Sequence, residues 1–401
     1  MKVFQINSVC GIRSTGRICT DLVDILHKRG YLCTVAYGRE QVPDEYSGIA
    51  RRIGSGRGVK GHALAARLFD SSGFHSNSAT KRLLADIESY DPDIIHLHNI
   101  HGYYVNVEFL FRYLKEARRP VVWTLHDCWA FTGHCSHYEA IGCNKWRTGC
   151  WQCPQKGEYP KSIFLDRSKA NYLRKKQSFC GVPNLTIVTP SQWLAGEVKR
   201  SFLGDYSVKV IQNGIDTDVF RPTLSDFRKR YGLEEKKVIL GVATAWSHKK
   251  GLGRFFELAR LLDDRFRIVL VGLDDAQINR LPDNVIGIKK TNRIQELVEI
   301  YTAADVCLSL SVEESMGLTV LEANACGTPA VVLNKTALPE LITERNGIVV
   351  ADSGVERVAA ILREIDFAKS FSPDACVDEA QKYSKTLKYA EYIKLYEELL
   401  L

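Results

Sequence analysis

Short apolar runs alternate with amphipathic helical patterns along the whole chain. The first series begins with an apolar run at 2–7, continues with a helical pattern across 15–30 and returns to an apolar run at 31–38. Apolar runs that alternate with helical patterns in this way predict βαβ units and a parallel sheet. We therefore expect an α/β fold.

The alternation stops once and then starts again. A turn-rich segment near 205–222 separates two complete series of alternating elements. At 401 residues the chain is also too long for one ordinary hydrophobic core. We predict a first domain of residues 1–210, to which an amphipathic helix at 377–401 returns, and a second domain of residues 211–376.

Composition and charge exclude some classes of protein. No run approaches the roughly 18–20 apolar residues of a membrane span, and the first residues do not resemble a signal peptide, so we expect a cytoplasmic protein. Residues 1–200 hold 28 Lys and Arg against 17 Asp and Glu, whereas residues 201–401 hold 26 against 30. The basic first half is compatible with peripheral contact at the inner face of a membrane and also with ordinary solvation. The sequence has no long basic run of the kind that would indicate nucleic-acid binding.

Five of the twelve cysteines fall within 26 residues, whereas the others are scattered through apolar or helical sequence. Four of the five have the spacing C-x7-C-x6-C-x2-C: Cys135, Cys143, Cys150 and Cys153. Four thiolates suit a closed, structural zinc site, in which His134 or His137 could replace one thiolate. Free thiols and disulfides remain alternatives for the cluster.

The most informative stretch is ESMGLTVLEANACGTPAVV at 314–332, which predicts a loop, a helix and a strand. A helix that opens at 317–319 would present free backbone N–H groups to a diphosphate. Glu314 and Glu322, before and inside this helix, could accept hydrogen bonds from sugar or ribose hydroxyls. Taken alone, the two carboxylates are equally compatible with a solvated surface loop.

The whole stretch resembles the E-x7-E signature of the retaining nucleotide-sugar glycosyltransferases of family 4. Short motifs similar to those of the family extend over nearly the full chain: STGRI at 14–18, HD at 126–127, TPS at 189–191, NGID at 213–216 and KKG at 249–251. The resemblance implies the GT-B architecture, in which two Rossmann-like domains face each other across a cleft.

The resemblance also assigns roles to residues of the second domain. It places Glu314 at the donor sugar, Glu322 at the ribose, and three residues at the phosphates: Gly317, Leu318 and Thr319. Lys250, with Lys249 beside it, matches the lysine that neutralises the leaving diphosphate. The arginine that usually accompanies this lysine is missing, since its place falls around Thr244 or Ala245.

In the first domain the resemblance makes His126 a donor-contacting, catalytic histidine and gives Gly16 a contact to donor. His126 follows an apolar run, so we expect it at the carboxyl end of a strand, where open α/β sheets bind ligands. For Gly16 the alternative is an ordinary turn between strand and helix, with Ser14 or Thr15 as the helix N-cap.

These assignments imply transfer of a sugar from a UDP- or GDP-sugar to a hydroxyl group, with retention of anomeric configuration and without a cofactor for catalysis. The acceptors usual in the family are glycans and lipid-linked glycans of surface polysaccharides and glycolipids. A nucleotide-sugar epimerase or phosphorylase with the same fold and a noncatalytic sugar-nucleotide-binding protein are the alternatives.

Overall fold

The computed structural model describes residues 1–291, 293–351 and 354–401. The chain divides into two compact units. The first unit holds residues 1–212 and 388–401, and the second holds residues 213–387. Each unit is built around its own parallel sheet.

The first unit contains a seven-stranded sheet with the order β3-β2-β1-β4-β5-β6-β7, and every neighbouring pair is parallel. Its strands are β1 (Lys2–Asn7), β2 (Leu32–Tyr37), β3 (Ala50–Arg52), β4 (Ile94–Leu97), β5 (Val121–Thr124), β6 (Leu185–Thr189) and β7 (Ser207–Val210). The four residues of β4 and of β5 are all buried, which explains their continuous apolar character in a sheet covered on both faces.

Helices cover this sheet: α1 (Arg13–Lys28), α2 (Gly56–Phe69), α3 (Asn77–Tyr90), α4 (Val107–Ala117), α5 (Ser168–Phe179) and α6 (Gln192–Lys199). Short 3₁₀ turns lie at Asp44–Tyr46, Trp129–Phe131, Glu139–Ile141 and Lys145–Arg147. In α1 the apolar residues at 18, 22 and 26 form one face, which is buried against the sheet.

The second unit has a parallel sheet with the order β10-β9-β8-β11-β12-β13. Its strands are β8 (Lys237–Val242), β9 (Phe266–Val271), β10 (Val285–Ile288), β11 (Val306–Ser309), β12 (Ala330–Leu333) and β13 (Gly347–Val350). Its helices are α7 (Phe227–Tyr231), α8 (Leu252–Leu261), α9 (Asp275–Ile278), α10 (Ile294–Ala303), α11 (Leu318–Ala325), α12 (Val355–Glu364), α13 (Phe367–Ser370) and α14 (Pro373–Gln381), with a 3₁₀ turn at Leu338–Leu341.

The C-terminal segment differs from the single helix predicted at 377–401. It forms two helices, α14 and α15 (Lys385–Leu400), because the chain turns at 382–384 and Ser384 bridges to Ile215. Cys376 and Ala380 of α14 are buried in the cores of the second unit, so the return to the first unit begins at Lys388 and not at 377. Three tyrosines of α15 are buried in the first unit: Tyr389, Tyr392 and Tyr396.

The other boundary lies at 212, whereas the sequence suggested 210. β7 occupies part of the segment interpreted as a hinge, and it forms the edge of the first sheet. Its residues alternate between exposed and partly buried, so they lack the continuous apolar run that marks β4, β5 and β6. No described helix is long and apolar enough to cross a membrane.

Candidate functional site

In the second unit an ion pair joins the loop after β8 to the loop after β11. Lys250 Nζ donates to Glu314 Oε1 at 2.5 Å. The two loops are fastened by their backbones, since the N–H of Val312 donates to the carbonyl of Lys249 at 3.0 Å. β8 and β11 are parallel neighbours, so their carboxyl ends meet at one edge of the sheet. The structure therefore brings two of the predicted site residues into direct contact.

Helix α11 begins directly after this ion pair. Gly317 precedes its first residue, Leu318, and has φ = 104°, which is a left-handed conformation that favours glycine. A Cβ atom at Gly317 would come within 2.8 Å of the Leu338 side chain. The first turn of a helix carries N–H groups without intrahelical partners, and the predicted phosphate residues Leu318 and Thr319 lie in this turn.

Glu322 lies one turn inside α11. The hydroxyl of Tyr301, which is fully buried on α10, donates to Glu322 Oε2 at 2.8 Å. Burial first, and the Glu322 carboxylate second, raise the pKa of Tyr301 well above its usual value, so Tyr301 remains a donor. This contact fixes the orientation of the Glu322 carboxylate, and Tyr301 is a functional candidate that sequence reasoning missed.

A second ion pair lies beside the first one. Lys249 Nζ lies 3.1 Å from Glu313 Oε2, and the Glu313 side chain is buried. Arg254 of α8 donates to the carbonyl of Leu310 at 3.2 Å, just before the same loop. Arg254 therefore supports the loop that carries Glu314. The place at which the sequence resemblance leads one to expect an arginine holds Thr244 and Ala245.

In the first unit, histidines collect where β4 and β5 end. His98 follows β4, and His126 follows β5 by two residues. Nε2 of His126 lies 3.2 Å from Nδ1 of His98, and Nε2 of His98 lies 2.9 Å from Oε1 of Gln5 on β1. Burial lowers the pKa of His126 to about 4 and the pKa of His98 well below its usual range. Both rings are therefore neutral near pH 7.

Asp127 plays a different part from His126, although the two are adjacent in the sequence. Its carboxylate accepts from Nε2 of His101 at 2.8 Å and from the backbone N–H of Trp129 at 2.9 Å. Burial alone would raise the pKa of Asp127, but the His101 charge and hydrogen bond outweigh it and hold the pKa well below the usual range. Asp127 therefore anchors the loop that begins after β5.

Gly16 does not lie in the loop before the helix. It is buried within the first turn of α1, which starts at Arg13 with Ile12 as N-cap and no side-chain cap. A Cβ atom there would come within 3.1 Å of Val9 and 3.2 Å of the Gly11 nitrogen. The helix starts earlier than expected because Gly11, with φ = 72°, turns the chain directly after β1, so neither Ser14 nor Thr15 caps the helix.

Comparison with known proteins assigns the family. The model of Glycosyltransferase Family 4 matches residues 15–219, which is more than half of the chain, and the model of Glycosyl transferases group 1 matches residues 236–365. The chain belongs to glycosyltransferase family 4.

Two curated relatives are similar in sequence to this family 4 protein. A colanic acid biosynthesis glycosyl transferase of Escherichia coli (strain K12) is 24% identical over 321 residues, which cover 77% of each chain. An N,N'-diacetylbacillosaminyl-diphospho-undecaprenol alpha-1,3-N-acetylgalactosaminyltransferase of Campylobacter jejuni is 27% identical over 60% of this chain and 68% of its own. Polysaccharide and lipid-linked glycan synthesis are thus represented among its homologues.

Solved structures show the fold. Sucrose-phosphate synthase from Thermosynechococcus elongatus superposes with a TM-score of 0.71 at 16% identity, over 99% of this chain and 98% of its own. An Anabaena protein solved in complex with UDP-glucose superposes with a TM-score of 0.67 at 15% identity, over 100% of this chain and 99% of its own. The family 4 protein therefore has the GT-B fold predicted from its sequence.

The cysteine cluster of this glycosyltransferase is partly assembled. The thiols of Cys135 and Cys153 are in hydrogen-bond contact, which raises the pKa of Cys135 and lowers that of Cys153. Cys150 Sγ accepts from the N–H of Gly133 at 3.2 Å, and burial, followed by the neighbouring Cys153 and Cys143 thiols, raises the pKa of Cys150 to about 11. Among the described residues, no three His, Cys, Asp or Glu side chains are already arranged around one metal position.

Three functional candidates in the first unit were not assigned by the motifs: Gln5, His98 and His101. The signal for the two histidines was their position after the apolar run at 94–97, since neighbouring parallel strands end at one edge of a sheet. Gln5 carries no such signal because it lies inside a buried strand.

Proposed function

We propose that this family 4 protein transfers a sugar from a nucleoside-diphosphate sugar to an acceptor hydroxyl with retention of anomeric configuration. The observation that carries the proposal is the Lys250–Glu314 ion pair directly before the N-terminus of α11. A cation, a carboxylate and a set of N–H donors at one edge of the sheet are the groups that a diphosphate joined to a sugar requires.

The chemistry follows from where charge develops. Breaking the bond between the anomeric carbon and phosphate places negative charge on the diphosphate, and Lys250 with the first N–H groups of α11 would stabilise it. Glu314 would then turn to the sugar hydroxyls, while Glu322, oriented by Tyr301, accepts from the ribose. Retention is proposed from the family resemblance, with acceptor attack on the face that the diphosphate leaves.

The acceptor is proposed to be a glycan carried by a lipid. Three consecutive apolar residues are exposed in the first unit: Ile163 at 51%, Phe164 at 68% and Leu165 at 40%. Lys161 and Arg167 flank them, a pattern that suits the surface of an anionic membrane. The basic stretch at 167–179 suits such a surface less well, because Lys175 of α5 is buried against the Trp129 ring.

A zinc ion in the cysteine loop stays a proposal. In its favour, Nδ1 of His134 bonds to Asp70 at 2.5 Å and no described residue bonds its buried Nε2, which matches the orientation of a metal-ligating histidine. Cys135 interacts with both Cys153 and Cys150, and His134 interacts with Cys153, so these four residues are the proposed ligands, with His134 in place of Cys143. The side chains would have to rotate to surround an ion, whose role would be to hold the loop.

The donor is proposed to be a UDP- or GDP-sugar, since one similar structure was solved with UDP-glucose and one relative is named as GDP-mannose-dependent. The test is a screen of UDP-glucose, UDP-N-acetylgalactosamine and GDP-mannose for thermal stabilisation, followed by transfer to a lipid-linked acceptor. We expect one donor to raise the melting temperature and its product to keep the α or β configuration of the donor, as read by NMR coupling constants.

Inversion in the product would overturn retention while leaving transfer intact. Absence of stabilisation by every nucleotide sugar, with Glu314→Gln behaving like the unchanged protein, would overturn the proposed function itself. The epimerase, phosphorylase and noncatalytic alternatives receive no support from the relatives.

A further inference from the structure

A continuous hydrogen-bonded chain runs through three neighbouring strands of the first unit. It joins Gln5 on β1, His98 after β4 and His126 after β5, which are adjacent in the strand order β1-β4-β5. Gln5 is fully buried and His98 is 1% exposed, whereas His126 is partly exposed. The chain therefore begins in the core and ends at the sheet edge where ligands bind in such folds.

The direction of the chain is set at its buried end. Nε2 of Gln5 lies 3.1 Å from the backbone carbonyl of Cys19, and a carbonyl can only accept. The amide group of Gln5 is thereby oriented, with its oxygen toward His98 at 2.9 Å. Since that oxygen also only accepts, Nε2 of His98 must carry the proton.

The tautomer of His98 in turn determines the tautomer of His126. A neutral imidazole has one N–H and one lone pair, so a His98 ring protonated on Nε2 has an acceptor at Nδ1. Nδ1 of His98 faces Nε2 of His126 at 3.2 Å, and the two ring planes differ by only 12°. Nε2 of His126 must therefore donate. Burial keeps both rings neutral, because it lowers the pKa of each.

The hydrogen-bonded chain ends in a lone pair on the His126 ring. A neutral His126 protonated on Nε2 has an unprotonated Nδ1, and none of the residues described by the structure makes a hydrogen bond to it. Such an atom accepts from a hydroxyl or an N–H group. It cannot accept a hydrogen bond from the diphosphate of a nucleotide sugar, whose oxygens are fully ionised near pH 7 and carry no proton.

We propose that Gln5 and His98 are positioning residues that hold His126 in its Nε2–H tautomer, so that Nδ1 accepts a hydrogen bond from a sugar hydroxyl of the substrate. The choice of a sugar hydroxyl rests on the proposed function, whereas the tautomer follows from the first unit alone. Gln5 and His98 thereby determine which ring nitrogen of His126 is left as the acceptor.

The tautomer is measured directly in the full chain labelled with ¹⁵N-histidine, by long-range ¹H–¹⁵N correlation, with His126→Asn to assign the ring. We expect one neutral species protonated on Nε2. Gln5→Met removes the acceptor at the buried end. The His98 tautomer should then reverse, and His126 should become a mixture of tautomers or be protonated on Nδ1. Thr124→Val is the matched control, because it removes a partner of His96 at 2.8 Å without touching the chain.

A wild-type His126 protonated on Nδ1, or a folded Gln5→Met protein with an unchanged tautomer, would overturn the positioning role. Unaltered melting temperatures of the two variants, within a few degrees, establish that both are folded. A change in Thr124→Val as large as that in Gln5→Met would also overturn it, since general loosening of the core would then explain both.

The sugar contact is tested by binding. Loss of one neutral hydrogen bond should weaken binding of UDP-glucose by about tenfold in Gln5→Met and leave free UDP unchanged. Equal weakening of both ligands would overturn recognition of the sugar. If UDP-glucose, UDP-N-acetylgalactosamine and GDP-mannose all fail to bind the wild type, the sugar contact fails with the proposed function, and an Nε2–H signal still supports the positioning role.

Discussion

The candidate sites of the two units consist of different kinds of side chain. In the second unit the site consists of charged side chains on short loops beside a helix terminus, and the Lys250 and Glu314 side chains keep 37% and 18% of their exposure. In the first unit it consists of neutral rings joined by hydrogen bonds, two of whose three members are buried in the core. Under the proposed function, the charged groups of the second unit would stabilise a diphosphate, whereas the neutral acceptor of the first unit would accept a hydrogen bond from a hydroxyl group.

Removal of the charge in the second unit should have the largest effect. Lys250→Ala is expected to lower kcat about a hundredfold, because loss of one preorganised donor to a developing anion typically has that size. Steady-state transfer kinetics provide the measurement. Lys289→Ala is the control, since this lysine pairs with Asp275 on the exposed surface of the same unit. A folded Lys250→Ala protein with kcat within twofold of wild type would contradict a catalytic role.

The long loop of the first unit gives the second prediction. If a zinc ion holds this loop in place of helices and strands, protein purified without added metal should contain about one equivalent of zinc. Mass spectrometry measures the metal content. Cys153→Ser should lose the metal and lower the melting temperature by several degrees. Cys180→Ser, outside the loop, should retain the metal and the melting temperature of the wild type. Much less than one equivalent in the wild type would mean that the loop is held by thiols and side-chain packing alone.

The exposed apolar segment of the first unit has no counterpart in the charged site of the second. Phe164→Ser should weaken binding to vesicles of anionic phospholipid by about tenfold, since burial of a phenylalanine side chain is worth roughly 1.5–3 kcal/mol. Sedimentation with vesicles measures the partition. Leu224→Ser, at a position 98% exposed in the second unit, should leave binding unchanged. Equal binding of the Phe164 variant and wild type would remove this segment from the membrane contact.

The smallest effect concerns pH and sharpens the contrast between neutral and charged groups. The folded pKa of His126, about 4, lies below its unfolded value of about 6.5. The folded state therefore binds fewer protons, and the stability from the neutral ring is complete above pH 6.5 and lost as pH falls toward 4. Between pH 7 and 5, wild type should lose about 1 kcal/mol more than His126→Phe, because partial exposure moderates the effect.

Urea unfolding followed by tryptophan fluorescence reports this change, since five of the six tryptophans lie in residues 1–212. Nearby titrating groups are His98, His101 and Asp127, and they are common to both proteins. The same substitution at exposed His27 is the control. Identical pH dependence of wild type and His126→Phe would show that the ring is not held neutral by burial.

Sequence patterns predicted most of the fold because buried parallel strands are continuous apolar runs, as in β4, β5 and β6. They missed short edge strands, such as β3 and β7, whose exposed residues are polar. The start of α1 was placed too late because a left-handed Gly11 has no distinctive neighbour in the sequence. The C-terminal helix was read as one element because both α14 and α15 are amphipathic.

The site was predictable to the extent that its residues are close in sequence. Glu314, Gly317 and Glu322 lie within nine residues, in the loop after β11 and the helix that follows it. The contact of Lys250 with Glu314 depends on which strands are neighbours, and the link from Gln5 to His126 depends on three strands at once. Tyr301 could not be found at all, because its role comes from packing between α10 and α11.

The Lys250–Glu314 pair has a consequence for selectivity among anions. Because the lysine is already neutralised by the carboxylate, an incoming anion must break an ion pair of 2.5 Å before it gains the cation. Inorganic phosphate or sulfate would leave the displaced carboxylate facing another negative charge. A ligand that brings hydroxyl groups along with its phosphates gives Glu314 a new partner. At the proposed donor site, the resting pair would therefore favour ligands that bring hydroxyl groups along with their phosphates over bare anions.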